Sequence, residues 1–216
     1  MTLDTNAIFP ELYVALGLSG SKYGASTFPL VLSSLCSHLD RVVQKNEKSM
    51  DVKRTKEIVT VFHGLRAPEL SIQMYMERIF KYSKCSPSCF VLANIYIDRF
   101  LQRPDVRLTS LNVHRLLITS VVIAAKFIDD AFFSNAYYAK VGGVSTREMN
   151  KLELNFLFSL DFRLQVSPET FGRYCIQLER EGAGVSVERP VQVCGLKDLT
   201  NKDDSKCQPP LHRYSY

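Results

Sequence analysis

Tryptophan is absent from the 216 residues, and so are the short signatures that most often carry enzyme chemistry. No GxxxxGK followed by Ser or Thr and no GxGxxG is present to cradle a phosphate, no HExxH to hold zinc, and no GxSxG to raise a nucleophile. These absences lower the prior for an enzyme without excluding one, and no cofactor and no metal is expected. Charge of one sign is also scarce: the formal net charge is +5, and the positive residues are scattered rather than clustered, which speaks against nucleic acid or membrane as a partner. Cysteines at 36, 85, 89, 175, 194 and 207 form no CxxC pair, and no signal peptide precedes them. Free thiols in a reducing compartment follow, and an intracellular protein of nucleus and/or cytoplasm is expected. Cys85 and Cys89 read as two thiols flanking a helix start rather than as metal ligands. Histidines 38, 63, 114 and 212 lie far apart and read as structural or exposed side chains. No internal repeat or low-complexity tract is visible.

What is present is one strongly apolar stretch, Thr109 to Asp130. Between Leu116 and Ile128 only Thr119, Ser120 and Lys126 are not apolar, so nearly every side of a helix would carry hydrocarbon. It falls short of the roughly 20 apolar residues that a bilayer crossing needs, which leaves the centre of a helical bundle as its place. At 100° per residue Asn112, Arg115, Thr119, Lys126 and Asp130 share one narrow seam, with Val122 among them. That seam is expected to meet water or a partner.

Around this stretch the chain orders itself as an all-α protein. Residues 1–27 carry Gly17, Gly20 and Gly24 without a sustained period and are expected to form a loose N-terminal arm. From Phe28 to about Glu47, Leu32, Leu35, Cys36, Leu39, Val42 and Val43 recur at three and four, giving one amphipathic helix. Residues 48–70 act as a connector, with a short helix expected from about Lys53 to Phe62. Five helices follow within about 71–165: Ser71 to Tyr82, Pro87 to Gln102 with Ser86 as N-cap, the central helix, Asn135 to Val141 ended by Gly142 and Gly143, and Thr146 to Leu160 opened by the capping box Ser145 and Glu148. A trailing helix over about 166–180 starts at Ser167-Pro168-Glu169, and 181–216 is expected to be a disordered tail.

Two acids sit where the pattern demands hydrocarbon. Glu153 projects into the stripe Met149, Leu152, Phe156 and Leu160, where an unpaired carboxylate costs several kcal/mol, and Lys126 on the seam of the central helix is the candidate partner. Asp98 lies among Val91, Ile95, Ile97 and Leu101, a candidate for a structural ion pair with Arg78 or Arg99.

The strings Asn94-Ile-Tyr96-Ile-Asp98-Arg99-Phe100-Leu101, Ala124-Ala125-Lys126-Phe127 and Leu152-Glu153-Leu154-Asn155-Phe156-Leu157 stand in the order and at the spacing of a cyclin box. Asn135 to Gly143 and Met149-Asn150 resemble the phosphate-signalling branch, the plant P-type or U-type cyclins. The resemblance covers about residues 70–165 and implies a single five-helix cyclin box with an N-terminal helix and a flexible tail. It also implies that the chain is the regulatory, activating subunit of a cyclin-dependent serine/threonine kinase, in cell division or phosphate signalling. Lys126 and Glu153 match the lysine and glutamate that hold the kinase's regulatory helix, while Phe127, Leu157, Phe162 and Leu164 match the apolar contacts. Departures are specific: the MRAIL sequence and its nearby Trp have no counterpart, and no arginine stands at the family's spacing upstream of Asp98. The alternative function is a non-catalytic cyclin-fold interaction module in transcription with a basic face on DNA, against which the scattered charge speaks.

Overall fold

Serine, proline and glycine punctuate the chain, and the helices fall between them. The computed structural model describes residues 14, 16–18, 28–53, 58–103 and 106–182. Among these stand α1 (Leu30–Lys53), α2 (Ile72–Ser83), α3 (Pro87–Leu101), α4 (Val113–Ile128), α5 (Asn135–Gly142), α6 (Thr146–Ser159) and α7 (Pro168–Gly182), with no strand. Ser71, Ser134 and Ser145 cap α2, α5 and α6 by accepting the backbone N–H three residues on, at 3.2, 3.4 and 3.1 Å. Ser86 occupies the cap position of α3, but its hydroxyl accepts no backbone N–H there and instead faces the Cys89 thiol at 3.4 Å. Only half of the capping box before α6 closes, because Glu148 turns away to pair with Arg115 at 2.6 Å.

Residues 116–125 of α4 are all buried, and α4 packs on α2, α3, α5 and α6, so the other four helices of the box surround it. Burying each Leu, Ile or Val of such a helix contributes about 1.5–3 kcal/mol, which makes α4 the main apolar anchor of the fold. Two glycines let α5 approach it. Gly143 takes φ +72° at the end of α5, whereas Gly142 is needed for closeness: a Cβ there would lie 2.9 Å from Ile118 Cγ1 of α4. The Gly142 carbonyl in turn accepts the Tyr75 hydroxyl of α2 at 3.0 Å.

The polar seam of α4 does not form one open face. Asn112, Thr119 and Val122 are buried, and only its two ends reach the surface, at Arg115 and at Lys126 with Asp130. Neighbouring helices cover its middle, and the connector before α2 lies over the start of α4. Gly64 N–H donates to Leu111 O at 2.7 Å and Arg115 donates to His63 O at 2.5 Å. Phe62 is buried with its ring against Phe100 and Phe156, at centroid distances of 5.1 and 5.7 Å. The short helix expected from Lys53 to Phe62 is corrected by this: α1 ends at Lys53, and residues 58–62 run without helix because Phe62 must reach the core. Residues 54–57 lie outside the described ones.

α1 extends two turns past the expected Glu47, where Asn46 donates to Leu108 O at 2.9 Å and Glu47 accepts from Ser110 N–H at 2.8 Å. Its stripe of Val31, Leu32, Leu35, Cys36 and Leu39 is buried against α2, α3 and α7. Of the expected loose arm only 14 and 16–18 are described, and there Leu16 is buried and its carbonyl accepts from Val31 N–H at 3.4 Å. The trailing helix runs past residue 180 to Gly182, because Glu181 is held by Arg41 at 2.6 Å and by His38 at 3.0 Å. Of the tail expected over 181–216, Glu181 and Gly182 belong to α7, and residues 183–216 lie outside the described ones. No helix among those described is long and apolar enough to cross a membrane.

Candidate partner-binding site

Lys126 closes the last turn of α4, where a cation meets the negative end of the helix dipole, and Glu153 stands midway along α6. The structure brings them together: Lys126 Nζ lies 2.6 Å from Glu153 Oε1, with the two side chains 27% and 17% exposed. The carboxylate therefore reaches the edge of the bundle rather than its interior. Its second oxygen accepts from Asn135 Nδ2 of α5 at 2.6 Å, and Asn135 Nδ2 also donates to Asn150 Oδ1 at 2.8 Å. Three helices thus meet at one carboxylate.

The apolar side chains expected to join this contact differ in exposure. Phe127 and Phe162 are 49% and 56% exposed, whereas Leu157 and Leu164 are half-buried against the core. The Leu164 carbonyl accepts the Tyr96 hydroxyl at 2.8 Å, so that position is tied to α3. Phe162 owes its placement to the backbone. Asp161 and Phe162 take φ +50° and +55°, an uncommon left-handed pair outside glycine, which ends α6 and returns Phe162 N–H to Leu157 O at 3.0 Å. The ring then meets Phe158 edge-on at 5.3 Å.

Two exposed residues escaped the sequence analysis, Leu154 and Phe158, at 53% and 63% exposure. Their signal was legible: they stand i, i+4 on α6 off the buried stripe of Met149, Leu152 and Phe156. Asn135 and Asn150 gave no such signal, since surface asparagines are common and only the fold brings these two to Glu153.

Asp98 belongs to a different corner. The ion pair expected with Arg78 or Arg99 is corrected: Arg78 donates to Lys140 O, and Arg99 to the carbonyls of Arg163 and Gln165. Asp98 instead takes a hydrogen bond from the Tyr174 hydroxyl of α7. Burial raises its pKa above the usual 3.8, partly offset by that bond and by His38 nearby, while burial and the acid push Tyr174 up to about 12. A raised carboxyl pKa means that the folded chain holds a proton the unfolded chain releases, so stability falls as pH rises from 3.8 through the folded value. Asn accepts the same hydroxyl without a charge. Asp98→Asn is accordingly expected to leave the melting temperature unchanged near pH 3.5 and to raise it at pH 7, in thermal melts followed by circular dichroism. A lower melting temperature at pH 7 would show that the ionised acid contributes to stability.

Four of the six thiols lie among the described residues. Cys36, Cys85, Cys89 and Cys175 are unpaired and buried, and burial with Cys85 alongside pushes the Cys89 thiol well up. Cys89 donates to Asp129 Oδ2 at 3.2 Å, and the same oxygen accepts from Ser86 N–H at 3.0 Å, joining the start of α3 to the end of α4.

Comparison with known proteins agrees with this architecture. The family profile described as Cyclin matches residues 25–164, a span that takes in α1 as well as the five-helix box. Cyclin-P3-1 of Oryza sativa subsp. japonica is 57% identical over 222 residues, covering 99% of this chain and 94% of that protein. Cyclin-U3-1 of Arabidopsis thaliana is 49% identical, covering 89% and 87%, and Cyclin-U4-1 of the same plant is 54% identical, covering 72% and 78%. Cyclins are regulatory rather than catalytic chains. From its sequence motifs, its all-helical box around α4 and these relatives, the chain belongs to the cyclin family, in the plant P/U-type branch.

Proposed function

We propose that this chain is the activating subunit of a cyclin-dependent serine/threonine kinase, and that it binds the kinase's regulatory helix at the rim between α4 and α6. The observation that carries this is the Lys126 to Glu153 pair at 2.6 Å, partly exposed, with the exposed Phe127 and Leu154 next to them in the chain and the exposed Phe158 further along α6, where it meets Phe162. A charged pair of this kind presents both a donor and an acceptor to a partner backbone, and the aromatic rings supply area that gains by leaving water. Leu157 and Leu164, half-buried against the core, are assigned to the same contact. Protein kinases need their lysine and regulatory-helix glutamate closed around ATP, and that helix is mobile. A rigid surface complementary to its inward position shifts the population toward the active state and needs no catalytic group of its own. The setting is cell division or phosphate signalling, in nucleus and/or cytoplasm, with no nucleic acid and no membrane as partner.

Capture from a panel of cyclin-dependent kinases, followed by a kinase assay, tests this directly. Wild-type chain is expected to retain and activate at least one member. Lys126→Ala and Glu153→Ala are each expected to lose about 2 kcal/mol or more of binding, the range of interface hot spots, while the free domain stays folded. Equal capture and activation by wild type and both variants would contradict the proposal.

A further inference from the structure

We infer that Asn135 is a positioning residue for Glu153, fixing the carboxylate in the orientation that the kinase contact uses, so that the inference rests on the function proposed above. Asn135 is the first residue of α5, and its amide nitrogen bonds Glu153 Oε2 at 2.6 Å and Asn150 Oδ1 at 2.8 Å. A carboxylate only accepts, so it dictates which end of the amide faces it. Asn150, one turn before Glu153 on α6, accepts from the same nitrogen. The result has a cost that is visible in the structure: Asn135 Oδ1 is buried with no hydrogen-bond partner. Turning the amide over would bring that oxygen against the Glu153 carboxylate, so the unpaired acceptor persists as long as the carboxylate is held. Buried unpaired acceptors are rare and concentrate where something other than stability is served. Here what is served is the aim of a single side chain. With one oxygen on Lys126 and the other on Asn135, Glu153 keeps one rotamer before any partner arrives, and association then has less side-chain freedom to remove. Exposed Leu154 and Phe158 on the same helix have no equivalent restraint, which marks Glu153 as the fixed point of the rim.

The test is a double-mutant cycle on full-length chain, with affinity measured against the kinase captured most strongly from the panel. Asn135→Ala is expected to weaken binding about tenfold with Glu153 present and to have no further effect in the Glu153→Ala background. Asn135→Asp, which sets a second carboxylate against the first, is expected to weaken it more. In the free chain, the side-chain amide signals of Asn135 in a proton–nitrogen spectrum are expected to move on Glu153→Ala. Equal losses from Asn135→Ala in both backgrounds would overturn the inference, since Asn135 would then act apart from Glu153. So would an unchanged affinity for Asn135→Ala when Glu153→Ala alone is weak. If Glu153→Ala itself binds like wild type, the kinase contact falls first and the inference with it.

Discussion

Lys126→Glu is expected to reduce kinase binding by at least about 100-fold, a loss of ~3 kcal/mol at 1.4 kcal/mol per tenfold. Two effects add. The variant removes the donor that the rim presents, and it places a second carboxylate beside Glu153, which Lys126 Nζ meets at 2.6 Å in the native chain. It also sets an anion at the negative end of α4. In the free chain these changes are expected to cost only about 1–2 kcal/mol, because both side chains are partly exposed and water screens them. Binding should therefore fall far more than stability. The exchange Lys126→Glu with Glu153→Lys separates the two roles of the pair. It restores an internal ion pair, so the melting temperature is expected to recover, but it trades the positions of donor and acceptor as a partner meets them. Asn135 also loses the acceptor it now holds at 2.6 Å. Binding is accordingly expected to stay weak. Full recovery of kinase affinity in the exchanged chain, measured by titration calorimetry, would mean that the pair only braces α4 against α6 and that the partner is read elsewhere.

The reason this pair was legible from sequence is that each member broke a pattern. Glu153 interrupts an apolar stripe on α6, and Lys126 interrupts a nearly continuous apolar run on α4, so each demands a partner on pattern alone. The helices themselves were legible for a similar reason, since Ser71, Ser134, Ser145 and Gly143 carry local cap chemistry that acts over a few residues. Failures came where long-range contacts overrule local ones. Residues 58–62, Ile-Val-Thr-Val-Phe, are β-branched and aromatic and so weak helix formers, and Phe62 is drawn into a ring cluster supplied by α3 and α6. Glu148 leaves its capping box for Arg115, on another helix. Asp98 finds a tyrosine hydroxyl on α7 rather than an arginine close in sequence. The Asn135 and Asn150 contacts to Glu153 belong to the same class: nothing in either residue's neighbours in sequence announces them, because the contact exists only once α5 and α6 have packed.

The ring cluster that takes in Phe62 is also where the largest loss of stability is expected. Phe156 is fully buried, stacked on Phe100 at 5.3 Å with an angle of 18° between the rings, and met edge-on by Phe62 at 5.7 Å. Offset-stacked and edge-on rings contribute about 0.5–1.5 kcal/mol per pair beyond their burial, and three pairs close on one another here. Phe156→Ala removes two of the three and leaves a cavity among rigid neighbours. The expected cost is about 3–5 kcal/mol, a large share of the ~5–15 kcal/mol that holds a typical domain. In a domain of this size that corresponds to a fall of roughly 10 °C or more in melting temperature. A milder loss is expected for Phe156→Leu, which refills most of the space. The cluster is what pins the connector over the start of α4, so the damage should be uneven. Gly64 N–H, bonded to Leu111 O at 2.7 Å, is expected to exchange with solvent much faster in Phe156→Ala than the amides of α4 do. If Gly64 and α4 lose protection by the same factor, the connector unfolds only with the whole domain, and Phe62 adds burial without acting as a separate clasp.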